Sequence, residues 1–431
     1  MNLPKKFYIG LFIFIIGITT LITLHYIQKR SPNTNNKIYT QTNIWFSKFD
    51  SDLLNFIWTK KWNENFIISP ISFKAALTML TVWASWDTEE KLLNIVWYET
   101  SDDYLNRAIN LKKLAEESNE KLYKYNKEQE KYNDWFFLWN ETNDTTNTNE
   151  SNWDKQNSFM IASSVRHNSD QRWEFKNQFK EKIFKIWWSF GEVPGDQLHK
   201  QINEWVNKNT NWLIPSLIQE PIPNVDIVLV NTTYLKSAWT NSFEKYATKQ
   251  WDFKTIGWNT VKKDFMHKSD KYLYYEDKDS QILTIQLQWW FAASFVLWDS
   301  SNILQKIRNS TTENVKVTLP KFELETSLDK KELLTFLNDK WLKTDLWNFS
   351  NMIENEKLII SDIIQKAKID LNEDWLEAAA TTAIMLEQAL LSTKQPKYKE
   401  FTADQPFQFY IYTNDSKILE PQLLFYGQII E

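Results

Sequence analysis

The sequence predicts an α+β protein, because helical and strand-like segments both occur along its 431 residues. The apolar run from Phe73 to Val82 is typical of a buried helix, and the charged stretch 102–132 has aliphatic residues at near-helical spacing. These aliphatic residues are Leu105, Ile109, Leu111 and Leu114. Residues 376–387 instead suit a strand, because their side chains sort into two different faces when alternate residues point to opposite sides.

The stretch from Asn372 to Ala383 is the most informative part of the chain, since small residues follow an acidic segment. In a strand, one face would be uncharged and could be buried, with Leu376, Ala378, Ala380, Thr382, Ile384 and Leu386. The other face would carry both acids, with Glu377, Ala379, Thr381, Ala383, Met385 and Glu387. Small side chains would let this strand pass between two existing strands without overpacking the core. By itself the stretch is equally compatible with an Ala-rich helix, because Ala and Glu are good helix formers.

Five further motifs favour the strand interpretation. They are Asn-Phe-Ile-Ile-Ser-Pro-Ile-Ser at 65–72, Ile-Asn-Glu-Trp-Val at 202–206, Val-Asn-Thr-Thr-Tyr-Leu-Lys-Ser-Ala-Trp at 230–239, Leu-Pro-Lys-Phe at 319–322 and Phe-Thr-Ala-Asp-Gln-Pro-Phe at 401–407. Together with the segment after Asn372, they resemble the serpins in order and approximate spacing. The resemblance covers about residues 41–431.

This resemblance implies the serpin fold, with mixed β-sheets that include a large central sheet, about eight or nine surrounding helices, and an exposed reactive-centre loop at 373–400. It implies a single domain over 41–431 that acts as a monomer without a cofactor. It also implies an inhibitor rather than an enzyme. A target protease would attack the loop and form an acyl-enzyme. The loop from Leu376 onward would then insert as a new central strand, distorting the oxyanion hole and triad of the protease, driven by strain stored in the native fold.

The resemblance assigns roles to particular residues. The hinge of the loop comprises Glu373, Trp375, Leu376, Glu377, Ala378, Ala379, Ala380, Thr381 and Thr382. The residues beneath or beside the opening point of the central sheet are Ser69, Ser72, Asn231, Gln365 and Trp239.

Two of these positions depart from the family pattern. Leu376 stands where inhibitory serpins usually have Thr or Ser, and its larger side chain is expected to slow insertion. Gln365 stands where many serpins have a His that bonds the buried Asn. Because an amide both donates and accepts, we expect Gln365 to bond Asn231 or Ser69 without pH dependence.

The scissile bond can be placed in two ways. Counting forward from Glu373 by the usual interval gives Ala389-Leu390, whereas counting back from Pro406 gives a bond near Ser392. The two differ because this loop is a few residues longer than the typical one.

The side chains around the scissile bond indicate the class of target. Ala389, Leu390 and Leu391 suit an elastase-like or chymotrypsin-like pocket, whereas Lys394 would suit a trypsin-like pocket. A cysteine protease is an alternative target, because some serpins trap that class.

The composition has too many Trp and too few Gly. The chain has 23 Trp and 6 Gly, whereas about 7% of an ordinary chain is Gly. Trp86 lies where a left-handed residue usually closes a helix, and Trp258 lies in a turn between strand-like runs where hairpins need positive φ. The same pattern recurs at Trp62, Trp289, Trp290, Trp298 and Trp341, and at each position the serpin pattern has Gly.

We therefore hypothesise that most of the Trp positions are glycines, encoded by a recoded UGA codon. Trp205 and Trp239 are exceptions, because serpins have Trp there. A low Arg content and abundant Lys, Asn and Ile fit an AT-rich bacterial genome in which such recoding occurs. The alternative is a genuinely Trp-rich protein. The distinction matters most at Trp375, because the hinge must swing and Gly alone adopts the required dihedrals without steric cost.

The N-terminal segment 1–30 is predicted to direct the protein to a membrane. Its apolar run at 7–27 is long enough to span a bilayer and lacks a small-x-small cleavage site. We expect a signal anchor, with a cleaved signal peptide as the alternative, and a serpin domain outside the cytoplasmic membrane, anchored or secreted. Residues 31–40 would form a flexible tether, and the Asn- and Thr-rich segment 140–152 a disordered insertion.

Several other classes of function are disfavoured. The absence of Cys excludes disulfides, zinc-thiolate sites and a thiol nucleophile, and a net charge of −5 offers no broad basic surface for nucleic acid. No catalytic or metal-binding motif surrounds the histidines, so we expect His167, His199 and His267 at the surface. The remaining rival is a non-inhibitory serpin-fold protein that binds a partner or serves as a surface structure.

Overall fold

The fold is described from a computed structural model covering residues 47–431, apart from several gaps. The gaps are 85–86, 97–158 except for ten residues between 106 and 127, 171–174, 186–188, 211, 213, 223–224, 236, 238, 288–290, 299, 329, 341–348, 350, 353–359, 374–396 and 415–421. The described residues belong to one compact unit, Asn43–Glu431. The predicted membrane segment, tether and insertion, and most of the predicted loop, lie outside the described residues.

The predicted α+β class is confirmed. The described part contains seven α-helices: α1 Lys48–Lys61, α2 Pro70–Trp83, α3 Asp87–Val96, α4 Asn177–Lys185, α5 Gly195–Asn209, α6 Ile303–Arg308 and α7 Lys330–Asp339. The ten residues described between 106 and 127 are also helical, as their spacing predicts. Within the described ranges, no helix is long and apolar enough to cross a bilayer.

The strands form two sheets. They are β1 Phe66–Ile68, β2 Phe159–Asn168, β3 Ser189–Val193, β4 Ile227–Leu235, β5 Lys249–Lys254, β6 Thr260–Glu276, β7 Ser280–Gln286, β8 Phe291–Trp298, β9 Thr311–Pro320, β10 Phe322–Leu328, β11 Ile360–Leu371, β12 Lys399–Thr402, β13 Phe407–Thr413 and β14 Leu423–Ile429. The five-stranded sheet has the order β10-β11-β4-β2-β3. The nine-stranded sheet has the order β1-β14-β13-β8-β7-β6-β9-β12, with β5 paired to β6.

Helix α2 positions the residues beneath the five-stranded sheet. Its N-cap is Ser69, whose hydroxyl accepts a hydrogen bond from the Ser72 backbone N–H, and Pro70 occupies the first turn. Pro is favoured there because its missing N–H would be unpaired in any case. The Ser-Pro-x-Ser sequence therefore fixes where the helix begins.

A buried ion pair joins α1 to α2. Lys74 Nζ lies 2.8 Å and 2.9 Å from the two carboxylate oxygens of Asp50, and the side chains are 3% and 2% exposed. Asp50 also accepts a hydrogen bond from the Ser47 backbone N–H at 2.8 Å, closing the N-terminal cap of α1. Loss of either charge would leave the other buried without its partner.

The expectation that His167 is a surface residue was wrong. Its side chain is buried in β2, with its ring 5.0 Å from the ring of Phe175 in a T-shaped contact. Burial lowers the pKa of the imidazole, although the Glu192 carboxylate opposes this effect. A neutral imidazole is compatible with an apolar site, so the residue type alone did not predict exposure.

Candidate functional site: the seam between β4 and β11

Strands β4 and β11 are adjacent and parallel in the five-stranded sheet. Their register places Gln365 opposite Asn231, and residues 363–367 pair with residues 229–233. We call this boundary the seam. No strand separates β4 from β11, and β11 leads directly into Asn372, the residue before the loop predicted at 373–400.

The side chains beneath the seam form a connected polar cluster. The Ser72 hydroxyl donates to Asn231 Oδ1, and Asn231 Nδ2 donates to Ser163 Oγ of β2 at 2.6 Å. Across the seam, Gln365 Nε2 donates to the backbone oxygen of Ser69 at 2.6 Å. The start of α2 is thus bonded to both strands that flank the seam.

The cluster is incompletely satisfied. Gln365 Oε1 and Thr233 Oγ1, which lies on the same face of β4 as Asn231, are buried and have no hydrogen-bond partner among the described residues. A buried polar atom without a partner costs about 1–3 kcal/mol. The closed seam therefore carries a free-energy cost that a rearrangement could relieve.

The chain leaving β11 is held in place by contacts at the C-terminal end of the strand. Trp239 Nε1 donates to the backbone oxygen of Asn372 at 2.9 Å. The buried Glu373 carboxylate lies 2.8 Å from Lys321 Nζ and also accepts a hydrogen bond from the Thr248 hydroxyl. These contacts fix the point from which the following residues depart.

The charge of Glu373 is favoured by this environment. Burial raises the pKa of the carboxyl, but hydrogen bonds from Lys321, Thr248 and a backbone N–H together outweigh it, so the pKa lies below its ordinary value. A carboxyl whose pKa falls on folding contributes stability above its unfolded pKa, and loses that contribution as pH falls through the folded pKa. The contacts of Glu373 with Lys321 and Thr248 are therefore expected to weaken in acid.

Substitution of Glu373 by Gln tests these contacts. At about pH 7, Glu373→Gln should lower the thermal unfolding midpoint by a few degrees, because the ion pair with Lys321 is lost. As the pH falls through the folded pKa of Glu373, the difference should disappear, because the wild-type carboxyl becomes protonated. Thermal scans at a series of decreasing pH values measure this change, and a difference that does not vary with pH would contradict the assignment.

The predicted site residues divide into two groups. The structure brings together Ser69, Ser72, Asn231 and Gln365 at the seam, and places Trp239 and Glu373 at its upper end. The remaining hinge residues, 375–382, and the predicted scissile residues, Ala389 and Leu390, lie outside the described residues. Lys321 belongs to the Leu-Pro-Lys-Phe motif, which assigns it no role, and no sequence signal marks Ser163 or Thr248.

The family model described as serpin (serine protease inhibitor) matches residues 46–431. An uncharacterized serpin-like protein from Thermococcus kodakarensis is 30% identical over 54% of this chain and 56% of its own length. The leukocyte elastase inhibitor of Equus caballus is 34% identical over 56% of this chain and 67% of its own. The matched region thus spans only about half to two thirds of these relatives.

A comparison with solved structures supports the same fold. Thyroxine-binding globulin in complex with thyroxine superposes with a TM-score of 0.67. Its identity is 19%, and the superposition covers 89% of this chain and 97% of that chain. At this identity the likeness concerns the fold alone.

Proposed function

Since the chain belongs to the serpin family, we propose that it is a suicide-substrate inhibitor of serine endopeptidases. The protease would cleave the loop near Ala389-Leu390, and residues from Leu376 onward would insert into the seam. Cysteine endopeptidases are a second class of target.

The direct parallel pairing of β4 with β11 is the observation that supports this proposal. A segment that folds back after Glu373 would run antiparallel to β11, and because β4 is parallel to β11, it would also run antiparallel to β4. One inserted strand would thus replace a parallel pairing with two antiparallel pairings, which are slightly more stable per residue. The partnerless polar atoms beneath the seam add to the free energy available for this change.

Insertion would stop the protease at the acyl-enzyme stage. The N-terminal side of the cut loop remains esterified to the protease nucleophile, so the protease is pulled along as the loop enters the sheet. Hydrolysis of the ester requires a preorganised oxyanion hole. Distortion of that hole during the pull leaves the ester intact.

The target class follows from the loop residues. Ala389 and Leu390 favour elastase-like or chymotrypsin-like proteases, and the leukocyte elastase inhibitor is among the relatives by name. We therefore expect inhibition of such enzymes before trypsin-like ones.

Mixing experiments with a panel of proteases test the proposal. The protein, with Gly at positions 212, 258, 298 and 375, is incubated with elastase, chymotrypsin, trypsin and subtilisin. The mixtures are analysed on denaturing gels. A band resistant to denaturant, containing both proteins, would support inhibition, and the released C-terminal peptide would identify the scissile bond. Cleavage of the loop with every protease still active would contradict it.

A second candidate is a non-inhibitory binding protein on the same fold. This candidate is supported by the fold similarity to thyroxine-binding globulin, whose structure was solved in complex with thyroxine. The small residues Ala378 to Thr382 favour insertion instead, because a strand entering the seam must fit between packed layers. The gel assay distinguishes the two candidates.

We also propose that most of the Trp positions are glycines. Four non-Gly residues have positive φ in the described part of the chain, and three are Trp: Trp212 at 65°, Trp258 at 64° and Trp298 at 67°. The fourth, Asn302, is of a type that tolerates this conformation. A bulky residue there is a genuine outlier, whereas Gly adopts it without cost.

The surroundings of individual tryptophans distinguish the positions that we propose to be Gly from those that we propose to be true Trp. Trp212, Trp258 and Trp298 are exposed. Trp212 lies two residues after Thr210, the C-cap of α5, and its backbone N–H donates to the backbone oxygen of Asn207 in the turn that ends the helix. This position was missed in the sequence. Trp62 differs, because it caps α1 with a right-handed φ of −59°, so its backbone does not require Gly. Trp239 uses its indole N–H at the seam, which supports a true Trp.

Peptide-mapping mass spectrometry of the protein from its native host tests the assignment. We expect Gly at 212, 258, 298 and 375, and Trp at 205 and 239. Peptides carrying Trp at all six positions would show that the protein is genuinely Trp-rich.

For the N-terminal segment, we propose an uncleaved signal anchor at 7–27 that holds the domain outside the cytoplasmic membrane of a bacterium. The length and apolar character of the segment support this proposal. Fractionation of host cells would place the protein with membranes, and release of the domain by external protease would give its side. Recovery only in the cytoplasmic fraction would contradict the proposal.

A further inference from the structure

Arg166 is a buried cation between the five-stranded sheet and helix α5. It belongs to β2, is 7% exposed, and its guanidinium carbon lies 5.6 Å from the ring of Trp205 on α5. Nη2 donates to Ser189 Oγ at 3.2 Å. Nε is buried and has no hydrogen-bond partner among the described residues.

The charge of Arg166 is poorly compensated. Within the described ranges, no carboxylate lies within ion-pair distance of its guanidinium, and its polar contacts are one hydroxyl group and one aromatic face. Burial lowers the pKa of the guanidinium, but a guanidinium stays protonated in proteins. The closed structure therefore holds a desolvated positive charge without a countercharge.

The backbone opposite Arg166 accommodates the guanidinium. Gly191 of β3 is its register partner, and a Cβ atom at Gly191 would lie 1.9 Å from Arg166 Nη1. Any other residue at 191 would displace the guanidinium.

Helix α5 packs on β2, β3 and β4, and the apolar cluster beneath it extends to the seam. Val228 and Val230 of β4 belong to the apolar cluster that includes Leu198, Ile202 and Val206 of α5, and Ile364 of β11 packs against the same cluster. Val230 and Ile364 are direct partners across the seam. A strand entering between them would add a strand spacing of about 4.8 Å, so the packing surface beneath α5 would have to change.

We propose that Arg166 is a positioning residue that promotes the lifting of α5 from the sheet. When α5 lifts, water can solvate the guanidinium and bond to its free Nε–H, so lifting recovers solvation lost in the closed state. Buried ions replaced by apolar residues of similar size often give more stable proteins for the same reason. Easier lifting of α5 would ease strand entry, and this consequence rests on the proposed function.

Native-state hydrogen exchange on the full chain in detergent tests the proposal. A 15-residue helix detached from its sheet is marginal in water, so lifting is detected as exchange of the α5 amides. Arg166→Met keeps an apolar stem against Trp205 but removes the charge, and should slow this exchange by about tenfold. The amides of β13 and β14 should exchange as in the wild type.

A further variant acts as a control. Arg166→Lys retains a buried cation, so its α5 amides should exchange at least as fast as the wild type. If Arg166→Met instead speeds α5 exchange, Arg166 holds α5 on the sheet and the proposal is overturned.

A second readout separates this proposal from the proposed function. After loop cleavage, the rate at which the protein gains resistance to heat measures strand entry, and Arg166→Met should slow it. An unchanged rate would overturn the link between α5 and strand entry. If even the wild type never gains resistance, the inhibitor function fails, whereas the exchange experiment still decides the role of Arg166.

Discussion

Ala380→Asp is expected to abolish protease trapping while leaving the loop cleavable. The alternation of residues 376–387 places Ala380 on the uncharged face, which would be buried when the segment enters the seam. Burying a carboxylate without a partner costs several kcal/mol, so insertion should slow by about two orders of magnitude. Hydrolysis of the acyl-enzyme should then be faster than insertion. Denaturing gels should show cleaved protein and free, active protease.

The neighbouring residue provides a matched control. Ala379 has the same size but lies on the face that already carries Glu377 and Glu387, so Ala379→Asp should still trap protease. Equal loss of trapping in both variants would mean that the two faces are not distinguished, which contradicts insertion as a strand.

Removing the charge of Asp50 is expected to destabilise the protein strongly. Asp50→Asn keeps an acceptor for the Ser47 backbone N–H but removes the carboxylate charge that pairs with the buried Lys74 ammonium. Breaking such a pair typically costs about 3–5 kcal/mol, a large part of an ordinary stability of about 5–15 kcal/mol. Urea denaturation should show a much lower midpoint.

The double variant Asp50→Asn, Lys74→Met separates charge from packing. It removes both charges, so it should recover most of the lost stability. A single variant that unfolds at the wild-type urea concentration would show that the ion pair contributes little, and a double variant no better than the single would assign the loss to packing.

The family resemblance, together with local patterns in the sequence, predicted much of the fold and the seam. Ser69-Pro70 marks the start of a helix through its own capping chemistry, and the strand at 227–235 is buried throughout, as its apolar and Thr-rich sequence favours. The placement of Asn231 and Gln365 at the seam followed from the family resemblance. These features depend on neighbouring residues or on a known pattern.

Contacts between distant residues could not be predicted in this way. Glu373 meets Lys321 and Thr248, which are 52 and 125 positions away in sequence, and only the folded chain brings them together. Arg166 violates the usual expectation that a charged residue in a strand faces water. Trp212 was missed because its left-handed backbone depends on where α5 ends.

The thermal stability of the cleaved protein tests loop insertion most directly. The loop is cut once by a protease that is then removed, and unfolding of the nicked and intact proteins is compared. Insertion of residues from Leu376 into the seam predicts that the nicked protein unfolds at a markedly higher temperature, because two antiparallel pairings replace one parallel pairing. A nicked protein that unfolds at the same or a lower temperature would show that the seam stays closed, and would contradict the inhibitor mechanism.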